Sequence, residues 1–258
     1  MNPTEVLALY DAQMRRDPPP EAGYVVDRRE DLVRLVGPGR CFILYAHPSP
    51  DAAAGLVREQ VDDLRRRGGE LEWKVYSHDS PPAVPDLLKV AGFRPDPPES
   101  LMVRDLAEPF PRTPVPPGLE IRAVRDERGL RDAMAVGTGA FGADDGSIRE
   151  HAEGRLHSRE VELFVAYHRE TPVSTGRVEL PADRSFASMW GGGTVPTHRR
   201  RGIYRALVEV RGSLARDRGF RYLTVDARDA TSRPILERLG FVALSGIVGW
   251  VRRTEGPP

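Results

Sequence analysis

The run Met189-Trp190-Gly191-Gly192-Gly193-Thr194-Val195-Pro196-Thr197-His198-Arg199-Arg200-Arg201-Gly202-Ile203-Tyr204-Arg205-Ala206-Leu207-Val208 reads as strand, basic loop and helix. The helical part shows in Ile203, Leu207, Val210 and Leu214, whose spacing places them on one face. Three consecutive arginines and a glycine stand where the first turn must begin. A helix start presents N–H groups without intrahelical partners, together with the positive end of the macrodipole, so it attracts anions. Gly202 lets a ligand approach the backbone, and Arg199, Arg200 and Arg201 add charge and paired donors suited to phosphate oxygens. The expected ligand is a pyrophosphate. No G-x-x-x-x-G-K-[ST] and no G-x-G-x-x-G stands at this helix start, which sets aside a P-loop and a dinucleotide fingerprint. A solvated basic patch, or a nucleic-acid contact, is the competing reading of the same arginines.

Working outward, the 258 residues are enough for two domains of ordinary size. Lys plus Arg and Asp plus Glu both number 38, and this neutral balance argues against a dedicated nucleic-acid binder, which carries a basic excess. No apolar run approaches the ~20 residues that span a bilayer, and the first residues lack a signal pattern, so neither a membrane nor a nucleic-acid partner is expected and the location expected is cytoplasmic. Cys41, the single cysteine, lies in the apolar run Cys41 to Tyr45, which excludes an internal disulfide and suits a small buried residue. The six histidines are scattered without H-E-x-x-H, so no metal is expected.

Along the chain, Val6 to Tyr10 suggests a first helix, and Leu32, Val33, Leu35 and Val36 suggest a second, ended by Gly37-Pro38-Gly39. A strand Cys41 to Tyr45, a helix through Leu56 to Leu64, a strand Leu71 to Tyr76, a short helix Pro85 to Val90 and a strand at Leu101 to Val103 follow. Prolines at 109, 111, 114, 116 and 117 form a stiff linker, which places a boundary between domains 1–112 and 113–258. The second half then reads as strand (Leu119 to Val124), helix (Glu127 to Phe141), a helical stretch (Ile148 to Leu156), and three strands (Val161 to Tyr167, Val173 to Leu180, Ala187 to Val195). The loop and helix come next, then a strand (Tyr222 to Val225), a short helix (Arg233 to Leu239) and strands around Phe241 to Leu244 and Ile247 to Val251.

Val195-Pro196 followed by Arg199-Arg200-Arg201-Gly202-Ile203-Tyr204 resembles the acetyl-CoA loop of the GNAT acyltransferase superfamily, written [RQ]-x-x-G-x-[GA] after a strand ending in Val-x-Pro. Tyr204 departs from the last small residue. The element order, and the ending Ser232-Arg233-Pro234-Ile235-Leu236-Glu237-Arg238-Leu239-Gly240-Phe241, also resemble that family, over about Leu119 to Arg252. The resemblance implies an α/β fold of the α+β type, with a mixed, mostly antiparallel central sheet flanked by helices. It also implies acetyl-CoA as acyl donor, an amine on a small-molecule or amino-acid-like acceptor, and cofactor contacts from Val195, Arg199, Arg200, Arg201, Gly202, Ile203, Tyr204, Asp229 and Ser232. A homodimer is left open.

The chemistry calls for a base to take the amine's proton and an acid for the leaving thiolate. The family's acid is a tyrosine four residues before the Gly of the Gly-Phe turn; Leu236 occupies that position here. Glu179, near the end of a central strand, is the first candidate base and Asp226 the second, each with the alternative of an ordinary exposed carboxylate. Tyr204 and His198 flank the loop, and Phe186, Met189 and Trp190 are candidates for an acceptor pocket or for strand core. Gly191-Gly192-Gly193 suggests a bulge or a close approach by the acyl-pantetheine arm, with a flexible joint as the alternative. Without the tyrosine, a CoA-binding module that does not turn over is the second functional reading. Residues 40–104 also repeat the element order of 188–252, including Leu88-Lys89-Val90-Ala91-Gly92-Phe93 against Leu236 to Phe241. In that first copy His47-Pro48-Ser49-Pro50-Asp51 stands at the loop position, where two prolines remove N–H donors and Asp51 repels phosphate, so the N-terminal half is read as a degenerate copy without a cofactor loop.

Overall fold

A strand at the centre of a hairpin pair, rather than a helix, carries Leu32 to Val36. In the computed structural model, which describes residues 1–111, 115–142 and 158–254, strand β1 (Val25–Arg28) pairs antiparallel with β2 (Leu32–Gly37), and β2 with β3 (Arg40–Ala46). The helix expected from Leu32, Val33, Leu35 and Val36 is therefore corrected to a strand. Its ambiguous apolar pattern is resolved by the Pro38-Gly39 turn, where Gly39 takes a positive φ of 69° and lets Gly37 face Arg40 across the hairpin. Helix α1 (Pro3–Tyr10) precedes them, its first turn capped by the Asn2 side chain.

The chain divides into two compact units: residues 1–101, 226–233 and 243–258 form the first, and residues 102–225 and 234–242 the second. The units interleave in sequence, whereas the linker prolines had suggested one cut near residue 112. In the first unit β3 runs parallel to β4 (Glu70–Tyr76), joined by helix α2 (Ala53–Arg67), and β4 pairs antiparallel with β12 (Val242–Arg253). The two short strands expected at the C-terminus are one continuous strand. Its core packs α2 and α3 (Val84–Val90) on one sheet face through Leu56, Val61, Leu64, Leu71, Trp73, Leu88 and Trp250. A short β5 (Arg94–Pro95) adds to β12.

The second unit's sheet runs in the order β6 (Glu99–Asp105), β11 (Tyr222–Arg228), β10 (Phe186–Thr194), β9 (Thr171–Glu179), β8 (Val161–His168), β7 (Leu119–Ala123). Strands β7 to β10 are antiparallel in sequence, while β10 and β11 are parallel. Helix α4 (Glu127–Phe141) starts at Asp126, whose carboxylate accepts from the Gly129 N–H at 2.8 Å, and stops at Gly142 in the left-handed region. Helix α5 (Ile203–Asp217) is the parallel crossover from β10 to β11. The expected helix Ile148 to Leu156 lies outside the described residues. No described helix is long and apolar enough to cross a membrane.

The Gly-Phe turn recurs with the same geometry in each unit. After α3, Gly92 (φ 84°) donates to Lys89 O and Phe93 to Leu88 O at 3.0 Å; after α6 (Arg233–Arg238), Gly240 (φ 82°) donates to Glu237 O and Phe241 to Leu236 O at 3.0 Å. Leu88, Phe93, Leu236 and Phe241 are all buried. Left-handed glycine ends each helix, and the following apolar residue closes the turn onto its core.

Candidate functional site

The loop after β10 opens at an edge that no described strand covers. Strands β10 and β11 pair in parallel only from Phe186 to Ser188 against Tyr222 to Thr224, after which β10 continues to Thr194 with β9 alone as its described neighbour. The C-terminal ends of parallel strands that part in this way are where ligands bind in α/β sheets. Val195 anchors the exit by donating to Val173 O at 3.0 Å and packing against Ala166, Val173 and Ile203. A single 3-10 turn, Pro196–His198, leads to the arginines.

Arg199 turns back on the main chain, donating through Nε to Thr194 O (3.0 Å) and through Nη2 to Ala140 O (2.9 Å). Arg200, at a positive φ of 63°, and Arg201 are exposed and make no hydrogen bond or ion pair with any described residue. Gly202 caps the helix in the left-handed region without a side-chain bond, and the first intrahelical bond runs from Ala206 N–H to Gly202 O at 3.0 Å. The N–H groups of Ile203 and Tyr204 precede that bond, so they form the orphan donor set of a helix start. Burial first, then the charge of Arg201 and of His168, lowers the His198 pKa, which leaves that imidazole neutral near pH 7. This set of donors and cations fits a doubly charged diphosphate group.

The departure at Tyr204 is accommodated by strand β10. Trp190 faces Arg177 and Gly193 faces Thr175, so Gly191 and Gly192 together oppose Gly176 in a bulge, with Gly191 at φ 59°. A Cβ on Gly192 would lie 3.0 Å from the Tyr204 ring, and one on Gly193 would lie 2.7 Å from the Phe141 ring on the other sheet face. The triple glycine is thus a packed bulge rather than a loose joint. Burial raises the Tyr204 phenol, against the pull of the nearby Arg211 cation. Phe186 and Met189 are buried and Trp190 is partly exposed.

Glu179 ends β9 and accepts from Arg177 Nε at 2.9 Å, with its side chain 20% exposed. Asp226 belongs to the first unit and is only 7% exposed, because Lys74 Nζ donates to it at 2.7 Å. Burial alone would lower the Lys74 ammonium, but the charges of Asp226 and Glu72 hold it above its ordinary value. Asp229 and Ser232 are in the first unit too. Asp229 accepts from Ser100 Oγ (2.6 Å) and Arg233 Nη1 (3.4 Å), and Ser232 Oγ donates to Arg228 O. Leu236 is fully buried, so its position offers no hydroxyl and no access. No cluster of potential metal ligands occurs among the described residues.

Sequence reasoning passed over Lys74, Glu99 and Arg211. Burial and then the charge of Asp226 push the Glu99 carboxyl up to about 7. Lys74 alternates with buried residues in Glu70 to Tyr76, which reads as a solvent-facing position; its burial comes from neighbours distant in sequence.

No curated protein matches the chain. Residues 131–241 match the model of the Acetyltransferase (GNAT) family. Among solved structures, a GCN5-related N-acetyltransferase from Kribbella flavida has a TM-score of 0.71 at 16% identity, over 90% of this chain and 91% of that one. One from Sphaerobacter thermophilus has a TM-score of 0.66 at 18% identity, over 97% and 85%. A tandem GNAT protein from the clavulanic acid biosynthesis pathway has a TM-score of 0.59 at 12% identity, over 93% and 86%. With the parallel β10–α5–β11 crossover and its basic helix start in place, residues 131–241 are an acetyltransferase domain of the GNAT family.

Proposed function

We propose that the chain transfers an acetyl group from acetyl-CoA to the amine of a small-molecule or amino-acid-like acceptor. The GNAT family uses acetyl-CoA. The observation that carries the reading is the start of α5, where the N–H groups of Ile203 and Tyr204 precede the first intrahelical bond beside Gly202, Arg200 and Arg201. Those groups hold the pyrophosphate, while Arg199 shapes the loop through Thr194 O and Ala140 O. Bound acetyl-CoA supplies an activated acyl carbon, and the unpaired edge and bulge of β10 receive that acyl group. Glu179, more exposed than Asp226 and not tied to an ammonium, takes the proton from the acceptor amine. Residues 1–112 serve as the degenerate copy without a cofactor loop, and residues 113–258 as the intact one. The matching Gly-Phe turns support that duplication.

The test is thiol release from acetyl-CoA across a panel of small primary amines and amino acids. Glu179→Gln is expected to lower kcat more than it weakens acetyl-CoA binding. Arg200→Ala with Arg201→Ala is expected to weaken CoA binding by roughly 1.5–3 kcal/mol per lost charged hydrogen bond, read by calorimetry. Unchanged affinity in the folded double variant refutes the loop assignment. The buried Leu236 favours a second reading, a CoA-binding module without turnover. CoA affinity without thiol release on any amine would select it.

A further inference from the structure

Arg211 lies two turns into α5 and is 1% exposed. Its Nε donates to Leu207 O at 3.1 Å and its Nη1 to Arg177 O at 3.2 Å, while Nη2 meets no acceptor among the described residues. No described carboxylate pairs with it, and the titratable group acting on it is the Tyr204 phenol. The guanidinium occupies a slot made by missing side chains. A Cβ on Gly176 would lie 2.8 Å from Nη1, and one on Gly192 would lie 3.4 Å from Nη2. Burial pushes its pKa down to about 10, so the cation persists at neutral pH but is held unfavourably. An apolar side chain of similar volume would fill the slot without that penalty. Packing therefore accounts for a long side chain here and leaves its charge unexplained.

We propose that Arg211 is a positioning residue for acetyl transfer, its unpaired charge setting a positive potential beneath the Gly191–Gly192 bulge that favours negative charge on an acyl oxygen lying against it. This rests on the acetyltransferase reading above. In the transfer the acceptor nitrogen bonds to the acyl carbon, and the carbonyl π pair moves onto oxygen. That developing charge is what the buried guanidinium stabilises; no counter-ion among the described residues cancels its field, and the low-dielectric surroundings do not screen it. The pair then returns, the C–S bond breaks with its electrons on sulfur, sulfur takes a proton from water and the nitrogen gives its proton to Glu179, which passes it on to water. Arg211 itself exchanges no proton.

The full-length chain is tested with Arg211→Lys, which keeps the charge, and Arg211→Met, which keeps the volume. Arg211→Met is expected to lower kcat on the best amine by about tenfold or more. Its acetyl-CoA KM should stay near wild type, and Arg211→Lys should retain most of kcat. A second readout needs no acceptor: the infrared C=O stretch of carbonyl-labelled acetyl-CoA should move to lower frequency on binding, and less so in Arg211→Met. Equal losses in both variants, or an unchanged kcat in Arg211→Met, overturn the inference. If Arg211→Met does not fold, a wild-type carbonyl frequency equal to that of free acetyl-CoA overturns it. A chain that binds no acetyl-CoA overturns the functional reading as well.

Discussion

Removing the Lys74 ammonium should destabilise the first unit far more than a strand lysine normally does. Lys74 Nζ lies 2.7 Å from Asp226, and the two side chains are 19% and 7% exposed. Taking away one partner of so buried a pair leaves an uncompensated charge, at a cost of about 3–5 kcal/mol, whereas replacing both partners by neutral groups is often close to neutral. Lys74→Met and Asp226→Asn are each expected to lose a few kcal/mol in urea unfolding, with Lys74→Met toward the upper end because the ammonium also acts on the Glu72 and Glu99 carboxylates. The double variant should lose less than the sum, with a coupling of at least about 2 kcal/mol. Far-UV circular dichroism and tryptophan fluorescence should follow the same transition, since Trp73 and Trp250 sit in that unit's core. Single losses under about 1 kcal/mol that add within about 0.5 kcal/mol would mean the pair is a surface contact, and the burial reasoning would be refuted.

Glu99 ionises near pH 7, above its unfolded value, so the native state holds the proton more tightly than the unfolded chain. Its contribution is fully present below the unfolded pKa and is lost as pH rises through about 7. Urea midpoints should therefore show Glu99→Gln gaining on wild type from pH 5 to pH 8, and a gap independent of pH rejects the assignment. Gly240→Ala forces a left-handed alanine onto the Arg104 guanidinium, which donates to Leu239 O and, at 2.6 Å, to Pro109 O. A loss of about 1–3 kcal/mol is expected by denaturant titration, with CoA affinity in the folded fraction unchanged. Isothermal titration with CoA should give one site per chain, because the Pro48 to Asp51 loop lacks the donor set; two sites would mean that the first unit also binds CoA.

The periodicity of residues 203–214, the arginine run, the Gly-Phe turn and the strand alternation were legible in the chain because each depends on neighbours within a turn or two. They sufficed for the acetyltransferase domain, and the helix Glu127–Phe141 ends where Asp126 and Gly142 say it must. Leu32 to Val36 shows the limit: its apolar pattern fits a helix or a buried strand, and pairing with Val25–Arg28 and Arg40–Ala46 settles it. The interleaving of the units was equally hidden, since β12 finds its antiparallel partner β4 across more than half of the chain. Local pattern reports which face a residue occupies, but not what lies opposite. That is why Asp226 reads as a free strand-end carboxylate until Lys74 is seen against it, and why Arg211 reads as one more helix arginine until the missing side chains of Gly176 and Gly192 prove to be the slot that holds it. Charge state and burial depend on the nearest atoms in space, and only the tertiary structure brings those atoms together.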